Sequence, residues 1–139
     1  MLNAVIDTNV LVSGLITAHG YSAKIINAFK EKQFNLFYCS EILIEYRDVL
    51  YRDRLGFNIN DVDNLLDVIS LNGISVATDA SNISLPDEDD RCFYDTAKNS
   101  GAYLVTGNIK HYPDESWLIT PSEFVKLLDA SLAGPSAEW

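Results

Sequence analysis

Three carboxylic acids and one amide, Asp7, Glu45, Asp90 and Asn108, stand at places where a polar side chain is awkward unless it serves a purpose. Asp7 closes the apolar, β-branched run that begins at Leu2, which puts a carboxylate at the rim of whatever sheet that strand joins. It either caps the following segment, Asn9 to Leu15, through backbone N–H groups, or it faces a ligand. Asp90 shares a helical face with Phe93 and Ala97, with Tyr94 beside them. An unpaired charge on such a core-facing stripe costs several kcal/mol, so Asp90 caps the helix at Cys92 or Phe93 or meets a cation. The run Asp87-Glu88-Asp89-Asp90 exceeds what one cap uses, although anions at a helix N-terminus gain about 0.3–1 kcal/mol. Glu45 lies at the edge of an apolar helix stripe, where a solvated side chain is the plain alternative. Asn108 follows a strand within a Gly-Asn pair, which is also ordinary turn chemistry.

Gathered together, these groups would form a hard-cation site. Carboxylates 4 Å apart repel by about 4 kcal/mol per pair at an effective dielectric of 20, so a cluster must bind protons or metal. A ligand set of oxygens without His or Cys selects Mg²⁺ or Mn²⁺ over zinc.

The elements that must bring them together alternate between strands and helices. Strands are expected at Leu2–Asp7, Asn35–Cys39, Ile74–Ala77, Ala102–Thr106 and Trp117–Ile119. Helices are expected over Tyr21–Glu31, from Ser40 as cap to about Arg52, over Asn60–Leu71, and from Asp89 to Ser100. A last helix starts at Pro121 behind Thr120 as its cap, with Phe124, Val125, Leu127 and Leu128 as its apolar side. Strands separated by helices make a mostly parallel sheet with helices on both faces, whose sites form at the carboxyl ends of the strands. Asp7 and Asn108 lie at or just beyond two such ends.

Composition narrows the class. The 139 residues are 47% hydrophobic and 22% charged, a globular balance with no repeat or low-complexity linker, and are read as one domain. No apolar run reaches the length of a membrane span, and the start lacks the pattern of a secretory signal, so a cytoplasmic location is expected. Cys39 and Cys92 lie far apart without CxxC or Cys/His ligand spacing and read as two reduced thiols. The net charge of −10 opposes nucleic-acid binding unless divalent cations offset the acids where phosphate approaches. It also suits a basic protein partner.

At this point the residues resemble a known family. Val5-Ile6-Asp7-Thr8-Asn9-Val10-Leu11-Val12-Ser13-Gly14 looks like the opening of PIN domains, in particular those of the toxin components of bacterial toxin–antitoxin pairs. Ser40-Glu41-Ile42-Leu43-Ile44-Glu45 resembles the helix that brings the second acid. The block from Asp87 to Ala97, running on through Leu104-Val105-Thr106-Gly107-Asn108, resembles the third and fourth positions. Asn108 to Pro113 and Ile119 to Phe124 resemble that subgroup as well, and the likeness spans Leu2 to about Leu128.

The resemblance implies a three-layer α/β/α sandwich with a mostly parallel sheet of four to five strands, over residues 1–130, with 131–139 as a flexible tail. It implies Asp7, Glu45 and Asp90 as metal ligands and catalytic acids, with Asn108 at a fourth position that often carries Asp. Thr106 and Asn9 would support them, and Asp95 is a surface or supporting candidate. The implied activity is Mg²⁺- or Mn²⁺-assisted hydrolysis of RNA, with a cognate antitoxin and a second copy of the chain as partners. Lys110, His111, Arg47 and Arg91 either guide phosphates or are solvated charges. Two rivals stand beside this reading: a receiver-like phosphoacceptor domain, which lacks its expected acidic pair here, and a PIN-like binding module with weak or no activity.

Overall fold

The computed structural model describes residues 1–133. Its centre is β1 (Asn3–Ile6), whose Ala4, Val5 and Ile6 are fully buried. A strand that is apolar on both faces belongs inside a parallel sheet covered on both sides. β1 pairs in parallel with β2 (Asn35–Tyr38) and β4 (Tyr103–Val105). β3 (Ile74–Ser75) adds in parallel to β2, and β5 (Leu118–Ile119) to β4. The order is β3-β2-β1-β4-β5, so the chain builds outward from β1 to β3 and then crosses back to the other side of β1. That reversal opens a crevice at the carboxyl ends of β1 and β4, where α/β sheets place their ligands.

The helices are α1 (Thr8–Ile16), α2 (Tyr21–Lys30), α3 (Ser40–Leu50), α4 (Ile59–Asn72), α5 (Arg91–Ser100) and α6 (Pro121–Leu132). α2 packs on α1 and α6, while α5 lies against β1, β2 and β4 and touches α3. The α1–α2 approach depends on Gly14, where a Cβ would come within 2.5 Å of Ile26 and 3.0 Å of the Ser22 backbone. The expected α/β/α sandwich is thus present, with all five strands parallel.

α1 is not among the five helices expected from sequence, and the other differences lie at the ends of elements. The cap position of α3 is Cys39, and Ser40 is already helical, its hydroxyl turned to the Glu41 carboxylate. Asn58 caps α4 by accepting from the N–H groups of Asn60 and Asp61. Thr120 and Glu123 form a reciprocal capping box on α6, with Pro121 in its first turn. On α6, Phe124, Val125 and Leu128 are buried, whereas Leu127 is exposed, one step off the stripe. The helix expected from Asp89 begins as a 3₁₀ turn, Glu88–Asp90, before α5, and Gly101 ends α5 in the left-handed region at φ +63. α6 extends through Leu132, so residues 131 and 132 of the expected tail are helical. Residues 134–139 of that tail lie outside the described residues. Among the described residues no helix is long and apolar enough to cross a membrane.

Candidate active site

Asp7 is buried immediately after β1 and occupies the N-cap position of α1, yet its carboxylate makes no capping bond. The simple capping explanation therefore fails. Instead Asp7 Oδ2 accepts from Thr106 Oγ1 at 2.8 Å and from Tyr112 Oη at 2.9 Å. Thr106 Oγ1 in turn accepts from Asn9 Nδ2 at 3.3 Å and from the Asn108 N–H at 3.0 Å, and Asn9 Oδ1 accepts from the Gly107 N–H at 3.0 Å. Asp7 and Asn9 are thereby stitched to the segment that follows β4. From α3, the Tyr46 hydroxyl donates to the Ile6 carbonyl, fixing the strand end beside the acid. Asn9 and Thr106, expected as supporting polar groups, both belong to this hydrogen-bond network around Asp7.

Asp90 is treated differently. It holds the N-cap position of α5 without a side-chain capping bond, and its Oδ2 is buried with no hydrogen-bond partner. His111 Nδ1 is 3.6 Å away from that oxygen, close enough for attraction but not for a hydrogen bond. Asp87, three residues earlier, does the local capping by accepting from the Asp89 N–H.

Glu45 on α3 and Asn108 at the start of the 3₁₀ turn Ile109–His111 complete the wall of one cleft of about 520 Å³. All four expected positions, Asp7, Glu45, Asp90 and Asn108, line it, together with Asn9, Asp87, Arg54 and His111. Part of the opposite lining is apolar, from Val12, Ile16, Val49 and Leu55.

The electrostatics agree with the geometry. Burial pushes the Asp7 carboxyl above the ordinary range despite the two hydroxyls that oppose the rise. Asp90 is pushed up to about 6, first by burial and then by the charges of Asp7 and Asp87, with His111 opposing. Glu45 is raised by burial and by Asp89, Asp48 and Asp7, against Arg52. Each acid gains from a nearby cation or proton.

The donor set fits a hard divalent cation, because Asp90 Oδ2 and Thr8 Oγ1, from two residues of the cleft lining, are buried oxygens without partners. The fit is to an open site: among the described residues no three Asp, Glu, His or Cys side chains converge into a metal cage. The tight cluster expected from sequence is thus loosened into a shared cleft. Asp7 is drawn back against Thr106 and Tyr112, and Glu45 stands on a separate helix. Magnesium is commonly held by one or two carboxylates plus water and substrate phosphate, which suits such a cleft.

The other expected candidates divide. His111 lines the cleft, while Arg47 and Lys110 are exposed outside its wall. Arg91 is consumed by Glu88, by the Ser81 carbonyl and hydroxyl and by the Ile83 carbonyl, so it pins the segment before α5 instead of guiding phosphate. Asp95 is not a surface residue: it is buried, accepts from the Ser81 N–H at 3.1 Å and faces a neighbouring cavity of about 400 Å³. Cys39 and Cys92 are free thiols.

Sequence pattern alone does not single out Tyr112 or Arg54. Tyr112 sits in a loop with no periodicity to read. The available signal is a large aromatic placed shortly after a candidate site residue, Asn108.

Comparison with known proteins matches residues 3–110 to the PIN domain. No curated protein matches the chain. PIN domains are generally nucleases, and PIN nucleases generally use divalent metals. The match covers most of the chain and includes Asp7, Glu45, Asp90 and Asn108, so this protein belongs to the PIN-domain family.

Proposed function

We propose that the chain is a metal-dependent ribonuclease, with Asp7, Glu45, Asp90 and Asn108 as its working residues. The observation that carries this reading is the meeting of all four in one cleft, with the buried Asp90 Oδ2 lacking any partner from the fold. Asp7 and Asp90 would hold Mg²⁺ or Mn²⁺, with Asn108 as a neutral ligand beside them. When bound, such a cation supplies Lewis-acid stabilisation of phosphate oxygens and a more acidic water. Asp7 Oδ2 is committed to two hydroxyls, which leaves Glu45 as the acid to orient the attacking water and take its proton. Thr106 and Tyr112 hold Asp7 in one rotamer, so that its remaining lone pairs stay aimed at the cleft.

The finer assignment, toxin of a cytoplasmic toxin–antitoxin pair, is supported by the subgroup likeness of the segments around Asp7, Asp90 and Asn108. The net charge of −10 suits a basic antitoxin, and a homodimer is part of the same proposal. The neutral Asn108 favours one second reading, a PIN-like binding module of weak activity, because it takes one charge from the metal-binding wall.

Incubation of single-stranded RNA with the purified chain separates the two. Cleavage is expected with Mg²⁺ or Mn²⁺, abolished by EDTA, and reduced about a hundredfold or more in Asp7→Asn, Glu45→Gln and Asp90→Asn. Cleavage that persists in EDTA, or equally in all three variants, would defeat the proposal.

A further inference from the structure

A nuclease cleft walled by acids, on a chain of net charge −10, needs some group that receives phosphate where no cation is held by carboxylates. Of the four arginines, Arg47 lies outside the cleft wall and two others are already engaged. Arg52 is tied to Asp48 at 2.8 Å, and Arg91 is bonded to Glu88 and to the Ser81–Ile83 segment. Arg54 differs from both. Of the Lys and Arg among the described residues, it alone lines the cleft, and it has no ion-pair partner there.

Its backbone is held by a short turn, while the residue itself is exposed to solvent. Arg54 rides on the 3₁₀ turn Asp53–Leu55, closed by the Leu55 N–H to the Arg52 carbonyl and the Gly56 N–H to the Asp53 carbonyl. Gly56 leaves the turn at φ +63, a left-handed conformation that a residue with a Cβ rarely adopts. Leu55 beside it joins the cleft wall. A guanidinium on such a mount presents a planar fork that matches two phosphate oxygens at once, which an ammonium does not. His111, the other basic group in the wall, is turned towards Asp90.

We propose that Arg54 is the phosphate-positioning residue of this cleft, gripping a backbone phosphate of the bound strand while the acids work on the scissile bond. The proposal rests on the nuclease reading given above and adds a residue to it. Arg54 makes no ion pair with the acids of the cleft, so its loss is expected to act on binding first.

Steady-state cleavage of an end-labelled single-stranded oligoribonucleotide, measured across a salt series, tests it in wild type, Arg54→Ala, Arg54→Lys and Arg54→Glu. Arg54→Ala is expected to raise KM about tenfold with kcat nearly unchanged, and to lower the slope of log binding against log salt by about one. Arg54→Lys recovers part of the loss because the charge returns without the fork, and Arg54→Glu is worse than Ala. Unchanged melting of all three variants excludes a purely structural role. A wild type that cleaves, with KM and salt slope unmoved in Ala and Glu, overturns the role of Arg54 and leaves the nuclease standing. A wild type that neither cleaves nor binds the oligonucleotide overturns the nuclease reading, and this role falls with it.

Discussion

Asp7 and Asp90 are acids of one cleft, and the fold handles them in opposite ways. Asp7 is buried, but two hydroxyls from the far side of the β1–β4 seam converge on its Oδ2. Asp90 is half-buried, its Oδ2 has no donor, and neighbouring acids surround it. One corner is held in place by the protein. The other is left electrostatically unsatisfied, and a cation would complete it. If a cation binds here as proposed, Asp7 would be its fixed anchor and Asp90 a second ligand stabilised only on binding.

That contrast predicts stability changes of opposite sign. The larger is at the held corner. Tyr112→Phe removes a hydroxyl from a buried carboxylate and should cost about 2 kcal/mol, read as a lower melting temperature in metal-free buffer. It should also slow cleavage about tenfold, because Asp7 loses part of what orients it. An unchanged melting temperature would mean that Thr106 alone suffices to hold Asp7.

The smaller effect is at the unsatisfied corner. Asp90 binds its proton more tightly in the folded chain, at about 6 against an ordinary 3.8, so its ionisation opposes folding. The penalty is absent below the ordinary value, grows as pH rises from there to about 6, and is complete above. The full linkage is about 3 kcal/mol, and solvent screening at a partly exposed carboxylate reduces it to about 1 kcal/mol. Asp90→Asn should therefore melt higher than wild type near neutral pH in EDTA, with the gain vanishing in acid. A variant less stable than wild type at neutral pH would show that Asp90 is a structural anion after all.

Much of this is legible in the sequence, and the reasons are physical. A buried central strand must be apolar on both faces, so the run before Asp7 marks β1 and puts the acid at its end. The wheel of α5 marks Asp90 as either a cap or a group facing a cation, and the structure shows no capping bond from it. Other features depend on contacts between distant segments. Tyr112 reaches Asp7 from a loop 105 residues later, and no local pattern encodes that reach. Arg54 joins the cleft wall from the turn after α3, which no local pattern announces. Conversely, Arg91 lies next to Asp90 in sequence, yet its guanidinium points to the Ser81–Ile83 backbone. Proximity along the chain is a poor guide to which cation faces the site. Local sterics decide the small shift at α3 too, where Cys39 takes the extended cap conformation and Ser40 enters the helix.

Manganese titration by calorimetry, comparing the wild-type chain with Asp7→Asn and Asp90→Asn, tests the central claim most directly. If these acids form one hard-cation site, wild type binds Mn²⁺ and both variants lose that binding while remaining folded. Wild type that takes up no heat of binding at millimolar Mn²⁺, or variants that bind as wild type does, would contradict the shared metal site and leave a PIN-fold binding module in its place.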